Sequence, residues 1–364
     1  MLIRSKAPLR LSFAGGGTDV RPFVDQEGGC VLNATITRHA WGALSSRNDR
    51  QIRIESADFG SLLKFDTRSA LVYDGKLDLA KAAIRNLGGQ DSPGFDLFLH
   101  TDAPPGSGLG SSSSLMVSLV GLLREFKGLT FSDYETARLA FEIEREQLGI
   151  QGGMQDQYAA SFGGFNFIEF YKDRVIVNPL RISRDTINEL EHNLLLCYTG
   201  KPHVSSGIIQ DQMGRYENQV EDAISGLRRQ KDLAFEMKNA LLERRLDDFG
   251  ALLGIAWDFK KKMSEKISSP LIDELYELAL RSGALGGKIT GAGGGGYMLF
   301  YCRYEKKLRV AAALRKMGAT PTEFGFDPHG LQTWRVNDSR RLPESQDGQA
   351  GLPTWRVYAT ESRS

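Results

Sequence analysis

The chain has 364 residues, of which 41% are hydrophobic and 25% are charged; these proportions are typical of a globular protein and exclude a disordered, collagen-like or coiled-coil chain. At roughly 150 residues per domain, the length predicts two ordinary domains or one large one. The 46 Lys and Arg residues nearly balance the 45 Asp and Glu residues and leave a net charge of +1, so we expect no nucleic-acid partner and no attraction to an anionic membrane surface.

The cysteines and the apolar runs indicate the cellular location. Cys30, Cys197 and Cys302 are too far apart in the chain to suggest a disulfide framework or a metal site, and this usage favours a reducing compartment. The first ten residues lack the apolar stretch of a signal peptide, and no run reaches the roughly 18 apolar residues of a membrane span. We therefore expect a cytoplasmic protein with no membrane partner.

Strands are predicted first along the chain, and helices follow them. Short β-rich runs bounded by turn residues predict strands at 9–13, 30–36, 40–45, 51–56 and 95–100. Apolar spacing predicts helices at 76–87 and 115–127, the second directly after a glycine loop. Ser132 and Glu135 form a capping box that begins a further helix. We expect that helix to continue through Glu144 to about residue 148.

The second half of the chain alternates in the same way. The apolar end of 189–198 predicts a strand, and 216–263 is rich in helix formers with a break predicted near Gly250. Ser269 and Pro270 are typical of the N-cap and first residue of a helix, which is predicted to end at Gly283. A strand after residue 296 and a helix at 306–317 complete the pattern.

We predict an N-terminal domain at 1–185, a C-terminal domain at 186–336 and a polar tail at 337–364. The tail repeats GLQTWRV (330–336) as GLPTWRV (351–357). Because two copies do not make a repeat architecture, we assign this repeat no function.

Glycine is the compositional outlier, with 40 of 364 residues against about 7% in average proteins. Many lie in four short windows, at 15–17, 106–110, 149–164 and 286–296. In the second window, PPGSGLGSSSS (104–114) lies between a predicted strand and a predicted helix. Its backbone N–H groups, its hydroxyls and the helix N-terminus can converge on one anion, which is typical of a phosphate-binding loop. A flexible linker is the alternative, but the apolar helix that follows at once disfavours it.

Three common nucleotide-binding classes do not fit. A Walker A loop requires a lysine, and none lies between Lys81 and Lys127. A GxGxxG pattern occurs at 291–296 but leads into a strand, whereas a dinucleotide fold requires a helix there. Asp-Phe-Gly occurs at 58–60 and 248–250 without the HRD loop of protein kinases, and we interpret both tripeptides as chance occurrences.

Three motifs in order, APLRLSFAGGGTD (7–19), PPGSGLGSSSS (104–114) and KITGAGGGG (288–296), together with GGMQDQ (152–157), resemble those of the GHMP small-molecule kinases. This superfamily includes galactokinase, homoserine kinase and mevalonate kinase, and the resemblance covers most of residues 6–300. AGGGTD, GGMQDQ and YTG are most similar to bacterial kinases that phosphorylate the anomeric hydroxyl of D-glycero-D-manno-heptose 7-phosphate, with fucose kinases as the nearest neighbours. The resemblance implies an α+β fold of two domains, S5-like and ferredoxin-like, with ATP in the cleft between them.

The resemblance also implies roles for individual residues. Asp156 corresponds to the catalytic aspartate, Arg10 to a catalytic basic residue, and Ser112 and Glu144 to Mg²⁺ ligands. For Glu144, an exposed helix charge is the alternative. The residues implied in ATP binding are Pro105, Gly106, Ser107, Gly108, Leu109, Gly110, Ser111, Ser112 and Ser113. The candidate substrate-binding residues are Gly16, Gly17, Thr18, Asp19, Gly153, Lys201, His203, Gly293 and Gly294.

The expected reaction is transfer of the ATP γ-phosphoryl group to a sugar or sugar phosphate, with Mg²⁺. If the acceptor is itself phosphorylated, a second anion site is required, for which Lys201 and His203 are the first candidates and Arg21 and Arg38 lie further back. The alternatives are another sugar kinase, such as a fucokinase, or a catalytically silent protein that binds sugar and ATP. A homodimer is left open.

Overall fold

Two β-sheets organise residues 1–88, 93–200 and 205–336, the part of the chain that the computed structural model describes. The strands in these segments are β1 (Leu2–Ala14), β2 (Gly29–Ser46), β3 (Gln51–Ser56), β4 (Ser61–Asp66), β5 (Phe95–Thr101), β6 (Phe165–Phe170), β7 (Val175–Pro179), β8 (Leu194–Tyr198), β9 (Ala284–Ile289), β10 (Tyr297–Cys302), β11 (Thr320–Thr322) and β12 (Gln332–Val336). The helices are α1 (Phe23–Glu27), α2 (Asp78–Leu87), α3 (Ser111–Lys127), α4 (Asp133–Phe141), α5 (Gln155–Phe162), α6 (Arg184–Asn193), α7 (Ser205–Glu217), α8 (Glu221–Leu242), α9 (Leu246–Met263), α10 (Pro270–Ser282) and α11 (Tyr304–Lys316). The expected α+β class is confirmed.

The larger sheet has the strand order β12-β1-β2-β5-β3-β4, and β6 and β7 extend it from β2. The smaller sheet has the order β11-β8-β10-β9. Most neighbouring strands are antiparallel, but β3 and β5 are parallel. Within the described segments, no helix combines the length and the apolar composition that a membrane span requires.

The second strand is one continuous element where the sequence predicted two. Pro8 of β1 pairs with His39 of β2, and the next residue, Leu9, pairs with Ile36, so the register shifts between them. A β-bulge of this kind bends a strand without ending it. The polar residues Thr37 and Arg38, which suggested a break, lie in this irregularity.

The predicted break between two helices is present, but it lies at residues 243–245 and not at Gly250. Helix α8 ends at Leu242 and α9 begins at Leu246, and Gly250 lies within α9. A Cβ at this position would overlap the ring of Tyr301. Glycine is therefore required here by close packing of the helix on β10, and it does not end the helix.

The two sheets share an apolar core near the end of β1. Leu9, Leu11 and Phe13 of β1 belong to the same buried cluster as Leu196 of β8 and Leu299 of β10. Because β1 carries the first glycine motif directly after Ala14, this shared core fixes that motif relative to both sheets.

Phe13 makes the aromatic contacts at this junction. Its ring stacks on Phe165 with centroids 6.3 Å apart and meets Phe249 of α9 edge-on at 5.2 Å. Its carbonyl oxygen accepts a hydrogen bond of 2.9 Å from Nζ of the buried Lys288 on β9. One residue therefore connects the larger sheet, α9 and the smaller sheet.

The chain returns to the larger sheet near residue 336. Sheet membership changes between β7 and β8, close to the predicted domain boundary at 185/186, but β12 pairs antiparallel with β1. Residues 332–336, which the sequence assigned to the second domain, thus lie in the first sheet. The domain division itself stays a prediction, and 337–364 lies outside the described residues.

We predict that Phe13→Ala lowers the free energy of unfolding by about 3–5 kcal/mol, the usual cost of removing a buried phenylalanine ring. Phe98→Ala is the matched control, because Phe98 lies on β5 with 42% of its surface exposed and should cost much less. Urea denaturation measures both values. Equal losses for the two variants would contradict a shared core at Phe13.

Candidate active site

A cavity of about 340 Å³ lies where the glycine motifs meet. Its lining includes Gly16 and Gly17 after β1, Gly108 before α3, Gly153 before α5 and Gly291 after β9. Segments separated by up to 275 residues in the sequence, from Gly16 to Gly291, therefore form one site.

The loop before α3 has the backbone of an anion-binding turn. Gly106, Gly108 and Gly110 have backbone φ values of 73°, 80° and 78°. Residues other than glycine rarely adopt this left-handed region. The loop leads into the 17-residue helix α3, whose N-terminus carries partial positive charge. Among the expected ATP-binding residues, those that line the cavity are Pro105, Gly106, Gly108, Gly110, Ser111 and Ser112.

Three of the expected ATP-binding side chains lie behind the loop instead. Ser107 and Leu109 are fully buried, and the Leu109 carbonyl oxygen accepts a hydrogen bond from the Arg10 N–H at 3.0 Å. Ser113 Oγ accepts a hydrogen bond from Arg145 at 2.9 Å. These side chains shape the loop, so a direct contact with ATP is not expected from them.

Arg10 and Asp156 form an ion pair in the lining of the cavity. Arg10 Nε donates to Asp156 Oδ1 at 2.7 Å, and the side chains are 5% and 16% exposed. A second guanidinium nitrogen donates to the Gly108 carbonyl oxygen at 2.6 Å. Asp156 is the second residue of α5, and a Cβ on Gly110 would lie 3.3 Å from its carboxyl carbon. The carboxylate therefore faces the phosphate-binding loop.

Asp19 is a second carboxylate at this cavity, and it is almost fully buried. It accepts hydrogen bonds from the backbone N–H groups of Gly17 at 3.0 Å and Gln155 at 3.1 Å. Burial raises the pKa of Asp19 above its usual value, an effect that the Gln155 hydrogen bond opposes and the neighbouring Asp156 increases. A Cβ on Gly153 would overlap Asp19 Oδ2, so glycine there allows the carboxylate to reach the cavity.

Three expected substrate-binding residues have other contacts. Thr18 is buried, and its hydroxyl donates to the carbonyl oxygens of Gly15 and Cys30. Gly294 donates to the Ile267 carbonyl oxygen at 2.7 Å, and Gly293 packs against the same residue. These three residues shape the turns and are not part of the cavity lining, whereas Gly291 and Ala292 are; their direct contact with substrate stays a prediction.

The expected metal ligands are adjacent. Ser112 Oγ donates to Glu144 Oε1 at 2.7 Å, and Gln157 donates to Glu144 Oε2 at 2.7 Å. Glu144 is fully buried, so the alternative of an exposed helix charge is wrong. The helix predicted to continue to about residue 148 changes after Phe141 into a π-helical turn, Glu142–Gln147. This wider turn, common at functional sites, points both Glu144 and Arg145 inward.

These residues fit a magnesium ion that is bound mainly by a nucleotide. Adjacent ligands of an octahedral Mg²⁺ ion lie about 2.9 Å apart, close to the separation of the Ser112 and Glu144 oxygens. Among the described residues, no group of three or more His, Cys, Asp or Glu could hold a metal by itself. That pattern agrees with the preference of Mg²⁺ for one or two protein ligands plus substrate phosphates.

Several residues at the cavity were missed by sequence reasoning. Ser12 and Gln155 line it, and their Oγ and Oε1 atoms are buried without a hydrogen-bond partner among the described residues. Asp58 and Phe59, interpreted as part of a chance tripeptide, also line it. Lys260 of α9 lines it as well and is only 4% exposed.

The burial of Lys260 could have been predicted from the sequence. It lies in a run of three lysines, which is typical of a solvated helix face. However, it is three, four and seven residues after Trp257, Ala256 and Leu253, which are all buried, and this spacing places it on the inner face of the helix.

The second anion site stays a prediction, because none of its candidates among the described residues is found in the cavity lining. Lys201 and His203 lie outside the described residues. Arg21 pairs with Asp25 at 3.6 Å, and Arg38 donates to the carbonyl oxygens of Asp102 and Glu323. Neither arginine is part of the cavity lining.

Comparison with known proteins identifies the class. Residues 77–164 match the N-terminal domain of the GHMP kinases, and residues 237–320 match the C-terminal domain of the same family. The chain belongs to the GHMP kinases, and it is a phosphotransferase with an alcohol acceptor. The resemblance found in the sequence is confirmed.

Particular relatives are similar over almost their whole length. The D-glycero-alpha-D-manno-heptose 7-phosphate kinase of Campylobacter jejuni is 40% identical over 338 residues, which are 92% of this chain and 99% of that protein. The crystal structure of a D-glycero-D-manno-heptose 1-phosphate kinase from Bacteroides thetaiotaomicron is 35% identical, with a TM-score of 0.78 over 92% of this chain and 99% of that chain. Lactococcus lactis galactokinase, at 21% identity and a TM-score of 0.73 over 91% and 95% of the two chains, shares the fold.

We predict that Gly153→Ala weakens acceptor binding about tenfold or more, because the new Cβ displaces the Asp19 carboxylate. Hydrogen bonds to a charged group contribute about 1.5–3 kcal/mol, and each 1.4 kcal/mol corresponds to a factor of ten. The KM for the acceptor measures this loss. Gly214→Ala on α7 is the control, because nothing lies within 4 Å of its added Cβ. An unchanged KM in Gly153→Ala would exclude Asp19 from acceptor binding.

We predict that Ser112→Ala raises the Mg²⁺ concentration required for half-maximal activity, since it removes one of two adjacent oxygen ligands. Titration of activity with Mg²⁺ at saturating ATP tests this. Ser114→Ala on the same helix is the control, because that hydroxyl donates to the Pro8 carbonyl oxygen and is not part of the cavity. If both variants keep the wild-type Mg²⁺ dependence, the metal assignment is wrong.

Proposed function

We propose that this protein is an ATP-dependent sugar kinase that phosphorylates the anomeric hydroxyl of D-glycero-D-manno-heptose 7-phosphate to give the 1,7-bisphosphate. The observation that supports this acceptor is the 40% identity to the Campylobacter jejuni heptose 7-phosphate kinase over 99% of its length. The product would supply nucleotide-activated heptose for a surface polysaccharide. The expected cytoplasmic location stays a prediction, and the sequence leaves a homodimer open.

On the donor side, the 106–112 loop and the N-terminus of α3 bind the ATP phosphates through backbone N–H groups. When bound, Mg²⁺ would neutralise charge on the β- and γ-phosphates, and Ser112 and Glu144 would hold it. Arg145, 3.4 Å from Glu144 Oε1, orients this carboxylate. The donor side is therefore assembled from elements of the larger sheet's layer.

On the acceptor side, buried polar atoms match a hydroxyl-rich ligand. The carboxylate of Asp19 keeps acceptor capacity beyond the two backbone hydrogen bonds it makes, and Ser12 Oγ and Gln155 Oε1 have no partner among the described residues. Because unpaired buried polar groups cost stability, a sugar that satisfies them is bound selectively.

Between the two sides, Asp156 holds the acceptor hydroxyl in line with the γ-phosphorus. Its Oδ1 is occupied by Arg10, so Oδ2 accepts the hydroxyl proton. The anomeric oxygen forms a bond to phosphorus, the bond from phosphorus to the β,γ-bridging oxygen breaks, and the proton moves to Asp156 late in transfer. Arg10 keeps the carboxylate oriented, and it places positive charge beside the transferred group.

A direct assay of acceptors tests this proposal. Purified full-length protein with ATP and Mg²⁺ is offered heptose 7-phosphate, heptose 1-phosphate, fucose and galactose, and ADP release is measured. We expect the highest kcat/KM with heptose 7-phosphate and an anomeric phosphate in the ³¹P NMR spectrum of the product. A higher kcat/KM with heptose 1-phosphate or fucose would show that heptose 7-phosphate is not the preferred acceptor. No ADP release with any sugar would indicate a catalytically silent protein that only binds sugar and ATP.

We predict that Asp156→Asn lowers kcat by about 10²–10⁴, the usual contribution of a general base, while the affinity for ATP stays within a few-fold of wild type. Steady-state kinetics and nucleotide titration give the two values. Asp258→Asn on α9 is the control, because its side chain is 65% exposed. Full activity of Asp156→Asn would remove this carboxylate from the mechanism.

A further inference from the structure

Lys260 is a buried cation that the mechanism above does not use. It is 4% exposed and lies on α9, the helix that packs against the smaller sheet. Its ammonium group donates a hydrogen bond to the Gly291 carbonyl oxygen. An ammonium group has three N–H donors, so this bond leaves donor capacity toward the cavity.

Its position relative to the phosphate loop is defined by backbone contacts. A Cβ on Gly291 would lie 2.8 Å from Gly108 Cα, so the carbonyl that Lys260 contacts belongs to a loop packed directly on the phosphate-binding turn. Arg10 donates to the Gly108 carbonyl oxygen in that turn. The two cations therefore approach the same pair of loops from different elements, Arg10 from β1 and Lys260 from α9.

No carboxylate of the described residues lies within ion-pair distance of Lys260. Its ammonium lies 3.9 Å from where a Cβ on Gly16 would be, near Ser12 and Gln155. Burying an ammonium group without a carboxylate partner costs stability. A protein retains such a residue mainly at functional sites, and here a bound anion would pair with the charge.

We propose that Lys260 is a second catalytic cation, which contacts the γ-phosphoryl group of ATP and stabilises its charge during transfer. The transferred group carries charge on three oxygens, and Arg10 has two of its donors committed to Asp156 and Gly108. Lys260 supplies the additional donors from α9, whereas Arg10 reaches the cavity from β1. This inference rests on the kinase reaction proposed above, but not on the identity of the sugar.

A purely structural role is the main alternative. In that role Lys260 would only fasten α9 to the third glycine loop through the Gly291 carbonyl. Lys260→Gln distinguishes the two roles, because the amide can still donate this hydrogen bond but carries no charge.

The test combines turnover, nucleotide binding and stability. In Lys260→Met and Lys260→Gln we expect kcat to fall by about 10²–10³, as when one preorganised donor is removed from a transition state. The affinity for the ATP analogue AMPPNP should fall about tenfold, and that for ADP should stay unchanged, since a charge-assisted bond to the γ-phosphoryl group is lost. Lys262→Met is the control, because this neighbouring lysine is exposed.

Stability separates the roles further. Removing a buried, unpaired charge should leave the melting temperature of Lys260→Met at or above the wild-type value. A lower melting temperature in Lys260→Met, together with full activity in Lys260→Gln, would show a structural role and overturn the proposal. An unchanged ratio of AMPPNP to ADP affinity with a raised acceptor KM would place Lys260 on the sugar and overturn it too.

The AMPPNP and ADP titrations do not depend on the identity of the acceptor. If the wild-type protein phosphorylates none of the sugars offered, the proposed function fails, yet the AMPPNP and ADP titrations still decide the role of Lys260.

The pH dependence gives a separate signature. Burial lowers the pKa of Lys260 to about 8; Arg10 on β1 adds to this effect, and Asp19 and Asp156 oppose it. Lys288 on β9 also faces this ammonium, and burial lowers its pKa as well. Lys260 therefore loses its charge as pH rises through about 8, and kcat/KM for ATP in the wild type should fall there. Lys260→Gln should lack this decline, and an identical profile in both proteins would contradict the proposal.

Discussion

The contact of two glycine backbones, at Gly108 and Gly291, determines the geometry of the site. A Cβ on Gly291 would lie 2.8 Å from Gly108 Cα, and a Cβ on Gly108 would lie 2.6 Å from the Thr290 carbonyl oxygen, so a side chain at either position would push the two loops apart. Because Arg10 donates to Gly108 and Lys260 donates to Gly291, the same contact fixes the two cations relative to each other. At these positions the high glycine content is therefore required, because the two backbones approach too closely to leave room for a side chain.

Much of the local structure follows from short-range rules that the sequence displays. The capping box at Ser132 and Glu135 is present, and α10 begins at Pro270 and is followed by Gly283 in the left-handed region. The arrangement of strand, glycine loop and helix at β5 and α3 is also as predicted. In each case a turn or cap residue has a conformational preference that depends on few neighbours.

Long-range contacts account for what local patterns did not predict. The pairing of β12 with β1 joins residues more than 300 positions apart, which no local periodicity encodes. The break between α8 and α9 comes near Arg244, which has a φ of 61°, whereas Gly250 serves the packing on Tyr301. A glycine that ends a helix and one that allows close approach look the same in a sequence.

The candidate site shows the same division between residues that form a turn and residues that face the ligand. The family resemblance implied roles for Arg10, Asp156, Ser112 and Glu144, but the first glycine motif also contains Thr18, whose hydroxyl is used inside the turn. Conversely, Lys260 lies in no glycine motif, and its place in a run of three lysines suggested a solvent-exposed side chain.

Electrostatics explains why these charges are tolerated in a buried site. Burial raises the pKa of Asp19 and lowers that of Lys260, so both groups are held at a cost in the absence of a ligand. Because Asp19 and Lys260 are buried, the low local dielectric makes their interaction with bound charges stronger than it would be in solution. The stability lost by burying them is therefore offset when a polyanionic nucleotide and a hydroxyl-rich acceptor occupy the cleft, which couples tight binding of both substrates to the geometry required for transfer.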